Sequence, residues 1–599
     1  MQSHTAFSAR RQLIKLLGSL LIAASLGCMT PWLQRPDPNS PEAKQARREE
    51  IKRTLQSEER PRLVSDIATA RLVTLSRIEN LGLVTQLPGT GGIVNASDQR
   101  EKMLSVMRRH DVKQPNQLLD DPNTAMVVAF VNVPPAARKG STHNVGVVKS
   151  NHAEATSLRT GWLMRTELNE KSLQEGKLRT GFDFAIAEGA IVTEAQWSGK
   201  KDLSASLTGM VVGGAKLFKE RPLGIAYSEE FADAVTQAAV LPAINDRFTV
   251  FDGQKKDGIA TPTKEGYVEL KIPPRYEKDP FHFVNVVLSL GFAESAKHRA
   301  ERMELCKQQL LEPTTVRNAA WQLEAIGKEA IPVLIEVLTH PDPEVRFYAA
   351  HSLAYLNDPR SIPVLKNLAP QQAAFRAMCL TALATVDHHD ADSALLELLH
   401  VADAETRYGA MLALRSRDSD NPEVTGIPVG KTGSILNIPS HAPPLVAVSL
   451  EQRPEIVIFG ETPVLTLPPF LYVNPRIVIK SGNEGMITIS HFAPDEEDRV
   501  THSKADLPSL LAGISSVGGN YGDWVSFVRE CSENGFLAEA FAMNPVPSAG
   551  RVFDRTTKQS LASRPEPGEP LPESTFHDSS KTDNEKTVTA WYNPFTWWN

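Results

Sequence analysis

The feature that most constrains this chain is an internal repeat with a period of about 30 residues, within residues 298–415. Ile331-Pro332-Val333-Leu334 recurs one period later as Ile362-Pro363-Val364-Leu365. An arginine recurs with nearly the same period, at Arg317, Arg346, Arg376 and Arg407. Each period holds two short amphipathic stretches, which predicts a pair of helices that buries its apolar face only against neighbouring pairs. The sequence therefore predicts an α-solenoid of about four helical pairs inside a larger chain.

This period resembles HEAT-type helical repeats, although it is shorter than the roughly 40 residues of their commonest form. An α-solenoid presents an extended face that suits the binding of another protein. The repeat pattern does not name that protein ligand, and a structural spacer without any ligand is the alternative that the pattern leaves open.

Length and charge bound the remaining possibilities. A chain of 599 residues holds several domains at roughly 150 residues each. The balance of 64 Lys+Arg against 71 Asp+Glu gives a net charge of -7, so no basic excess is present to hold the phosphates of a nucleic acid. With 41% hydrophobic and 23% charged residues, most of the chain is expected to fold.

Residues 1–28 have the pattern of a secretory signal peptide. Arg10, Arg11 and Lys15 precede the apolar run Leu16–Leu26, which is shorter than the roughly 20 residues that span a bilayer. The segment Ser25-Leu26-Gly27-Cys28 resembles a bacterial lipobox, in which the Cys28 thiol is acylated and anchors the protein to a membrane. An ordinary signal peptide that happens to contain a cysteine is the alternative. Either interpretation predicts an exported protein, and residues 29–61 form a polar tether.

The rest of the chain divides by pattern. Short β-rich runs alternate with helical stretches over residues 62–297 and again over residues 445–545, which predicts two α+β regions on either side of the solenoid. Residues 416–444 are rich in Ser, Asp, Pro and Gly and are predicted to be a linker. Residues 546–599 are predicted to be a disordered tail. Its aromatic end, residues 591–598, suits docking on a partner or on peptidoglycan, or packing as a terminal strand.

No constellation with catalytic, cofactor-binding or metal-binding spacing emerges from the sequence. After the signal peptide, Cys306, Cys379 and Cys531 are widely spaced and odd in number, which does not support a disulfide framework. The one compact His/Asp group, His388-His389-Asp390, lacks the spacing of a helical zinc motif and is interpreted as a solvated turn between repeat helices. The Gly-rich segment 89–92 lacks the Gly-Lys-Ser/Thr of a phosphate-binding loop and is interpreted as a turn.

Several segments, taken in order, resemble the flagellar P-ring protein family. Residues 81–92, Gly-Leu-Val-Thr-Gln-Leu-Pro-Gly-Thr-Gly-Gly after Leu81, are similar to that family's Gly-rich stretch, and residues 125–168 follow its pattern of strand, Pro-Pro turn, strand and Ser-Leu-Arg segment. Residues 184–189, 231–248, 455–460, 486–490 and 507–540 resemble later elements in the family's order. The residues that carry the motifs are Gly89, Gly91, Pro134, Pro135, Gly140, Ser150, Ser157, Leu158, Arg159, Gly161 and Gly189.

The resemblance implies a structural, non-catalytic subunit. A P-ring-like protein is expected in the periplasm, in the flagellar basal body, where copies of it form a ring around the rod beside the L-ring and the peptidoglycan. Thr160 stands where the family has the first Gly of a Gly-Gly pair, and the solenoid is not part of the family pattern. The alternative function is an envelope lipoprotein scaffold that uses the same fold away from the flagellum and binds a protein through its repeats. An enzyme with an undetected site is a third hypothesis that no residue favours.

Overall fold

The structure is a computed structural model that describes residues 40–56, 62–174, 177–251, 253, 255–264, 266–482, 486–493, 497–548 and 551–560. The predicted signal peptide with Cys28 and the aromatic end at residues 591–598 lie outside the described residues. The chain forms two units, residues 1–61 and 62–599. In the first, helix α1 (Pro41–Gln56) carries charge along most of its length.

The second unit begins with an α+β region. Its strands are β1 (Ala68–Arg71), β2 (Ser76–Thr85), β3 (Ala125–Val133), β4 (Thr142–Lys149), β5 (Trp162–Gln174), β6 (Lys177–Ala190), β7 (Val192–Thr193), β8 (Thr208–Leu217), β9 (Leu223–Tyr227), β10 (Thr249–Phe251), β11 (Lys256–Gly258), β12 (Ala260–Lys264) and β13 (Tyr267–Leu270). Its helices are α2 (Asp98–Arg109), α3 (Pro115–Leu119), α4 (Glu194–Ser198), α5 (Leu203–Leu207), α6 (Ala234–Arg247) and α7 (Pro280–Leu288).

Seven of these strands form one sheet in the order β4-β3-β2-β5-β6-β8-β7, and β4 also pairs with β8, so that the sheet closes on itself. Small and β-branched residues fill its interior, among them Ile78, Val127, Ala129, Val147 and Ala187. Interior and exterior side chains alternate along each strand because successive side chains point to opposite faces. β3 ends where Pro134-Pro135 begins, since proline has no N–H to continue the ladder.

A second, four-stranded sheet has the order β1-β9-β13-β12, and β10 and β11 form a separate hairpin. Helix α6 begins at Ala234 rather than at Glu229, because the Asp233 carboxylate caps it by accepting from the backbone N–H of Val235. Residues 229–231 form a short 3-10 turn instead.

The solenoid follows as four helical pairs, as predicted. The helices are α8 (Ala296–Gln309), α9 (Val316–Ile326), α10 (Ile331–Glu336), α11 (Pro343–Tyr355), α12 (Ile362–Gln371), α13 (Ala373–Thr385), α14 (His389–Leu398) and α15 (Ala404–Arg417). The repeated Ile-Pro-Val-Leu motif places a proline in the first turn of α10 and of α12. Proline is tolerated there because that N–H has no partner within the helix.

The repeated arginines have a structural role that the spacing alone did not reveal. Arg346, Arg376 and Arg407 each donate to backbone carbonyls that lie shortly before them, in the turn or helix end that precedes their own helix. These bonds satisfy carbonyls that have no helical partner and fix each second helix against the first.

The second α+β region contains strands β14 (Ile427–Val429), β15 (Gly433–Ile438), β16 (Leu445–Val448), β17 (Glu455–Phe459), β18 (Phe470–Tyr472), β19 (Ile477–Ser481), β20 (Ile487–His491), β21 (Arg499–Ser503), β22 (Ala540–Met543), β23 (Phe553–Asp554) and β24 (Gln559–Ser560), with helices α16 (Leu507–Ser516) and α17 (Tyr521–Glu533). A mixed sheet has the order β14-β15-β17-β16-β22, and an antiparallel sheet has the order β18-β19-β20-β21. Both sheets and both helices contribute to one apolar core around Trp524.

The structure corrects two of the predicted boundaries. The predicted linker, residues 416–444, supplies β14 and β15, and β15 pairs in parallel with β17. The predicted disordered tail is ordered at its beginning, because residues 551–560 form β23 and β24 and pack on the solenoid. Both segments are polar and short, so that their burial depends on distant partners rather than on local pattern.

Candidate functional site

The Gly-rich segment forms a closed turn. Gly91 lies so close to the 122–124 segment that a Cβ would overlap the carbonyl oxygen of Thr124, and Gly89 has φ 74°, in the left-handed region. The N–H of Gly91 donates to the Pro122 carbonyl at 2.7 Å, and the N–H of Gly92 donates to the Thr124 carbonyl at 3.1 Å. These N–H groups are used within the fold, which is what a turn requires and a phosphate loop does not.

The next motif residues support the closed sheet. Pro134 and Pro135 are buried, and Gly140, at φ 90°, donates its N–H to the Leu217 carbonyl at 2.7 Å. The hydroxyl of the buried Ser150 donates to the side-chain oxygen of Gln99 on α2 at 2.7 Å. Gly140 therefore fixes its turn to the end of β8, and Ser150 fixes α2 to the end of β4.

The Ser-Leu-Arg segment joins the two α+β regions. Leu158 is fully buried in the first core, and the hydroxyl of Ser157 accepts from the N–H of Arg159 at 3.2 Å. Nη2 of Arg159 donates to the Val473 carbonyl, 314 residues away, at 2.6 Å. This motif arginine therefore attaches the first region to the second.

The glycines near this segment allow close approach. A Cβ at Gly161 would press against the side chains of Val84 and Leu87, and Gly189, with φ 142°, faces the side chain of Val211. Thr160, which stands at a family glycine position, has φ 65°. Left-handed backbone is strained for a β-branched residue, and the buried hydroxyl of Thr160 has no hydrogen-bond partner among the described residues.

Other contacts complete this junction, and the motif residues did not identify them. The side-chain amide of Asn144 donates to the Leu450 carbonyl at 2.6 Å, and its oxygen accepts from the N–H of Gln452 at 3.1 Å. Gln196, on α4, donates to the hydroxyl of Ser526 at 3.0 Å, and Nε of Arg529 donates to the Gln196 carbonyl at 2.8 Å. The sequence did not predict these pairs, because the partners are more than 300 residues apart. Asn144 itself lies within the family-like segment.

The outer face of the β18–β21 sheet exposes apolar side chains. Leu471, Ile479 and Ile489 point into the core, so that their neighbours along the strands point outward. The outward residues include Phe470, Tyr472 and Val500, which are 58%, 67% and 56% exposed. Exposed apolar groups collected on one face are typical of a surface that contacts another molecule.

The second helices of the solenoid contact a later segment of the same chain, residues 551–560, which we call the strap. Phe553 of the strap packs on Phe375 of α13, with ring centroids 4.9 Å apart, and Phe375 in turn stacks on Phe347 of α11 at 4.4 Å. The backbone N–H of Ala374 donates to the hydroxyl of Ser560 at 2.9 Å. The strap thus covers part of this face of the repeats.

Ion pairs hold the strap at its first residue and at its middle. Both terminal nitrogens of Arg551 donate to the Glu405 carboxylate, at 2.6 and 2.5 Å, and Arg376 also donates to Glu405 at 2.7 Å. Arg555 binds Glu344 through two bonds of 2.8 and 3.0 Å. Burial raises the pKa of the Glu344 carboxyl, and the Arg555 guanidinium opposes that rise. Buried bidentate pairs of this kind fix geometry more than they add stability.

The cysteines and the exposed histidines show no reactive arrangement within the described part of the chain. Cys306, Cys379 and Cys531 are buried and unpaired, and burial raises the pKa of Cys306 to about 11, which suppresses its thiolate. His388 caps α14 by accepting from the N–H of Asp390, and His389 is 83% exposed, so the predicted loop is the start of a helix. Among the described residues, no helix is both long and apolar enough to cross a membrane.

Comparison with known proteins finds two family matches in this chain. Residues 63–300 match the model of the flagellar P-ring protein family, and residues 307–374 match that of HEAT repeats. The P-ring match covers the first α+β region with its motif residues, and the HEAT match covers the middle of the solenoid.

Curated relatives carry the same name at modest identity. A flagellar P-ring protein of Thermotoga maritima is 24% identical over 233 residues, which are 37% of this chain and 65% of the relative. Those of Geobacter metallireducens and Aquifex aeolicus are each 26% identical, over 231 and 242 residues, 37% and 39% of this chain and 59% and 62% of the relatives. The chain thus spans less than two thirds of these relatives. Over residues 63–300 it resembles the flagellar P-ring protein family, and its helical insert resembles HEAT repeats.

Proposed function

We propose that this chain is a non-catalytic structural subunit of a periplasmic ring around the flagellar rod. The observation that carries the proposal is the P-ring family match over residues 63–300. The positions of the motif residues support it, since they form the turns and the junction that give the first region its shape. The rod and L-ring proteins are then the expected partners, with peptidoglycan as the surroundings.

Such a ring forms when identical subunits repeat a head-to-tail contact whose rotation closes. We place one side of this contact on the outer face of the β18–β21 sheet, around Phe470 and Tyr472. Aromatic side chains supply large contact areas at low entropy cost, which makes them common at the centre of protein interfaces. The other side of the contact lies on a different surface of the neighbouring copy.

The export proposal rests on the sequence of residues 1–28. An acylated Cys28 would keep the mature chain on a membrane face, in the flagellar case that of the outer membrane, while residues 29–61 act as a tether. Metabolic labelling with a fatty-acid analogue tests it: the wild-type chain should be labelled and the Cys28→Ala variant should not. A Cys306→Ala variant is the matched control, because its thiol is buried in the folded protein. An unlabelled wild-type chain would contradict acylation and favour the alternative, an ordinary signal peptide.

The experiment that tests the ring proposal is deletion of the gene in its own host, followed by electron cryotomography of the basal bodies. Loss of a ring around the rod together with loss of swimming, both restored by the wild-type gene, is the expected result. Unchanged basal bodies would overturn the flagellar role. In that case the envelope lipoprotein scaffold, with a protein bound to the repeats, takes its place, and affinity capture from the envelope identifies the bound protein.

A further inference from the structure

A buried cluster of ionisable side chains lies where the first α+β region meets the solenoid. Asp279 and His282 belong to the start of α7, and His351 belongs to α11. One potential ligand atom from each of these three residues lies within 4.8 Å of the others. All three side chains are nearly inaccessible, at 1%, 3% and 4% exposure.

One nitrogen in this cluster has no hydrogen-bond partner among the described residues. Nε2 of His351 is buried, and its nearest charged neighbour, Oδ2 of Asp279, is 4.0 Å away, too far for a hydrogen bond. Leaving a buried polar atom without a partner is destabilising, because the atom loses its hydrogen bond to water. The cost is removed if that atom binds something that the protein chain itself does not supply.

These two atoms lie 4.0 Å apart, which is beyond hydrogen-bond distance. Zinc lies about 2.0–2.2 Å from a histidine nitrogen or a carboxylate oxygen in tetrahedral geometry, so two of its ligand atoms lie about 3.3–3.6 Å apart. A bound ion would therefore draw the two side chains together by roughly half an ångström.

Glu324 of α9 supplies the support that metal-binding histidines usually have. Both of its carboxylate oxygens lie 2.9 Å from Nε2 of His282, and the Tyr276 hydroxyl donates to it at 2.8 Å. A carboxylate that accepts from one ring nitrogen orients the ring and leaves the lone pair on the other nitrogen, Nδ1, for a metal.

We propose that Asp279, His282 and His351 form a structural site for a divalent ion of the zinc type, which fixes the solenoid to the first α+β region, with Glu324 as a positioning residue. The ligand set of two imidazoles and a carboxylate suits zinc better than the oxygen-seeking magnesium or calcium. The two buried carboxylates, on Asp279 and Glu324, also balance the charge of a divalent ion.

The test measures metal content and thermal stability on the full mature chain without a histidine tag. We expect about one zinc per chain by mass spectrometry, and a lower Tm after chelation that added ZnCl2 restores. The variants His351→Leu and Asp279→Asn should lose the metal and the response of Tm to zinc. The amide that Asp279→Asn introduces retains an oxygen that can cap α7, so that this variant separates metal loss from misfolding. Glu324→Gln should weaken zinc binding about 10- to 100-fold.

The matched control is His389→Leu, which alters the exposed His388-His389-Asp390 group that also has ligand spacing. That variant should keep both the metal and the Tm response. A wild-type chain without bound metal and without a Tm response to zinc, or a zinc content unchanged in both His351→Leu and Asp279→Asn, would overturn the proposal and leave a hydrogen-bonded polar cluster.

Discussion

Single residues decide the junction between the two α+β regions. Arg159 and Asn144 reach carbonyls of the second region that are more than 300 positions away, and Thr160 lies beside Arg159 in left-handed backbone. The sequence identified Arg159 and the departure at Thr160 through the family pattern. It did not identify Gln196 or Ser526, because a hydrogen bond between two polar side chains leaves no periodic signal.

Replacing Thr160 with glycine is expected to stabilise the protein. At φ 65° the backbone strain of a β-branched residue costs about 1–3 kcal/mol, which glycine avoids. The greater freedom of glycine in the unfolded chain offsets about 1 kcal/mol of this gain. We expect a net gain of about 1 kcal/mol in the free energy of unfolding, measured by urea denaturation. Thr160→Ala is the control: it removes the unpartnered hydroxyl but keeps the Cβ, so it should gain less. Equal gains would show that backbone strain is not the cause.

The two glycines of the turn should respond differently to alanine. A Cβ at Gly91 would overlap backbone atoms that cannot move independently, so Gly91→Ala should lower the free energy of unfolding by more than about 2 kcal/mol. Gly89 has open space around it, and Gly89→Ala should cost only about 1 kcal/mol for its positive φ. Denaturant titration of both variants measures the order, and a smaller loss for Gly91→Ala would contradict the close approach.

At the scale of elements, periodic segments were predictable and segments that depend on distant partners were not. The four helical pairs follow from the Ile-Pro-Val-Leu and arginine spacings, and β3 follows from its apolar run. β15 lies in a stretch with few apolar residues and gains its burial by pairing with β17, whereas β14 pairs only with β15 and stays mostly exposed. The strap is held by Arg551 and Arg555, whose carboxylate partners lie 146 and 211 residues away. The buried Asp279 cluster was missed for the same reason.

The strap should detach when its buried arginine is removed. Arg551→Ala leaves Glu405 with one arginine fewer in a buried setting, which we expect to cost about 2 kcal/mol and to expose the Phe375 face. Hydrogen exchange should then increase in residues 551–560 and along α13. Lys558→Ala is the control, because its pair with Asp342 is half exposed and contributes little. Unchanged exchange in Arg551→Ala would contradict the role of this ion pair.

At the scale of the whole molecule, the ring proposal places function in contacts between copies of the chain. The motif residues make contacts within the fold, so the surface available for assembly is formed by other, exposed residues. The outer face of the β18–β21 sheet is the surface to which the ring proposal assigns this role, and mutation can separate its effect from that of folding.

The double variant Phe470→Ser/Tyr472→Ser is expected to fold normally and to assemble poorly. Both side chains are more than half exposed, so that their loss removes little core packing. Multi-angle light scattering of the purified protein, and basal-body imaging after complementation, should show loss of the oligomer and of the ring. Leu305→Ser/Leu311→Ser removes two similarly exposed apolar side chains from the solenoid and should assemble as the wild type does. Equal assembly of both variants would place the subunit contact elsewhere.

The junction also sets the order in which this protein is completed. The hydrogen bond from Asn144 to Leu450 joins residues 306 positions apart. At about 5–20 residues per second, a growing chain adds that length in about 15–60 s. Val192 and Val212 belong to the second core, so during that interval the residues that bury them have not yet been synthesised. The solenoid, whose contacts are local, has time to fold within it. Early synthesis of the first sheet therefore does not complete it, because Val192 and Val212 are covered only when the second α+β region is present.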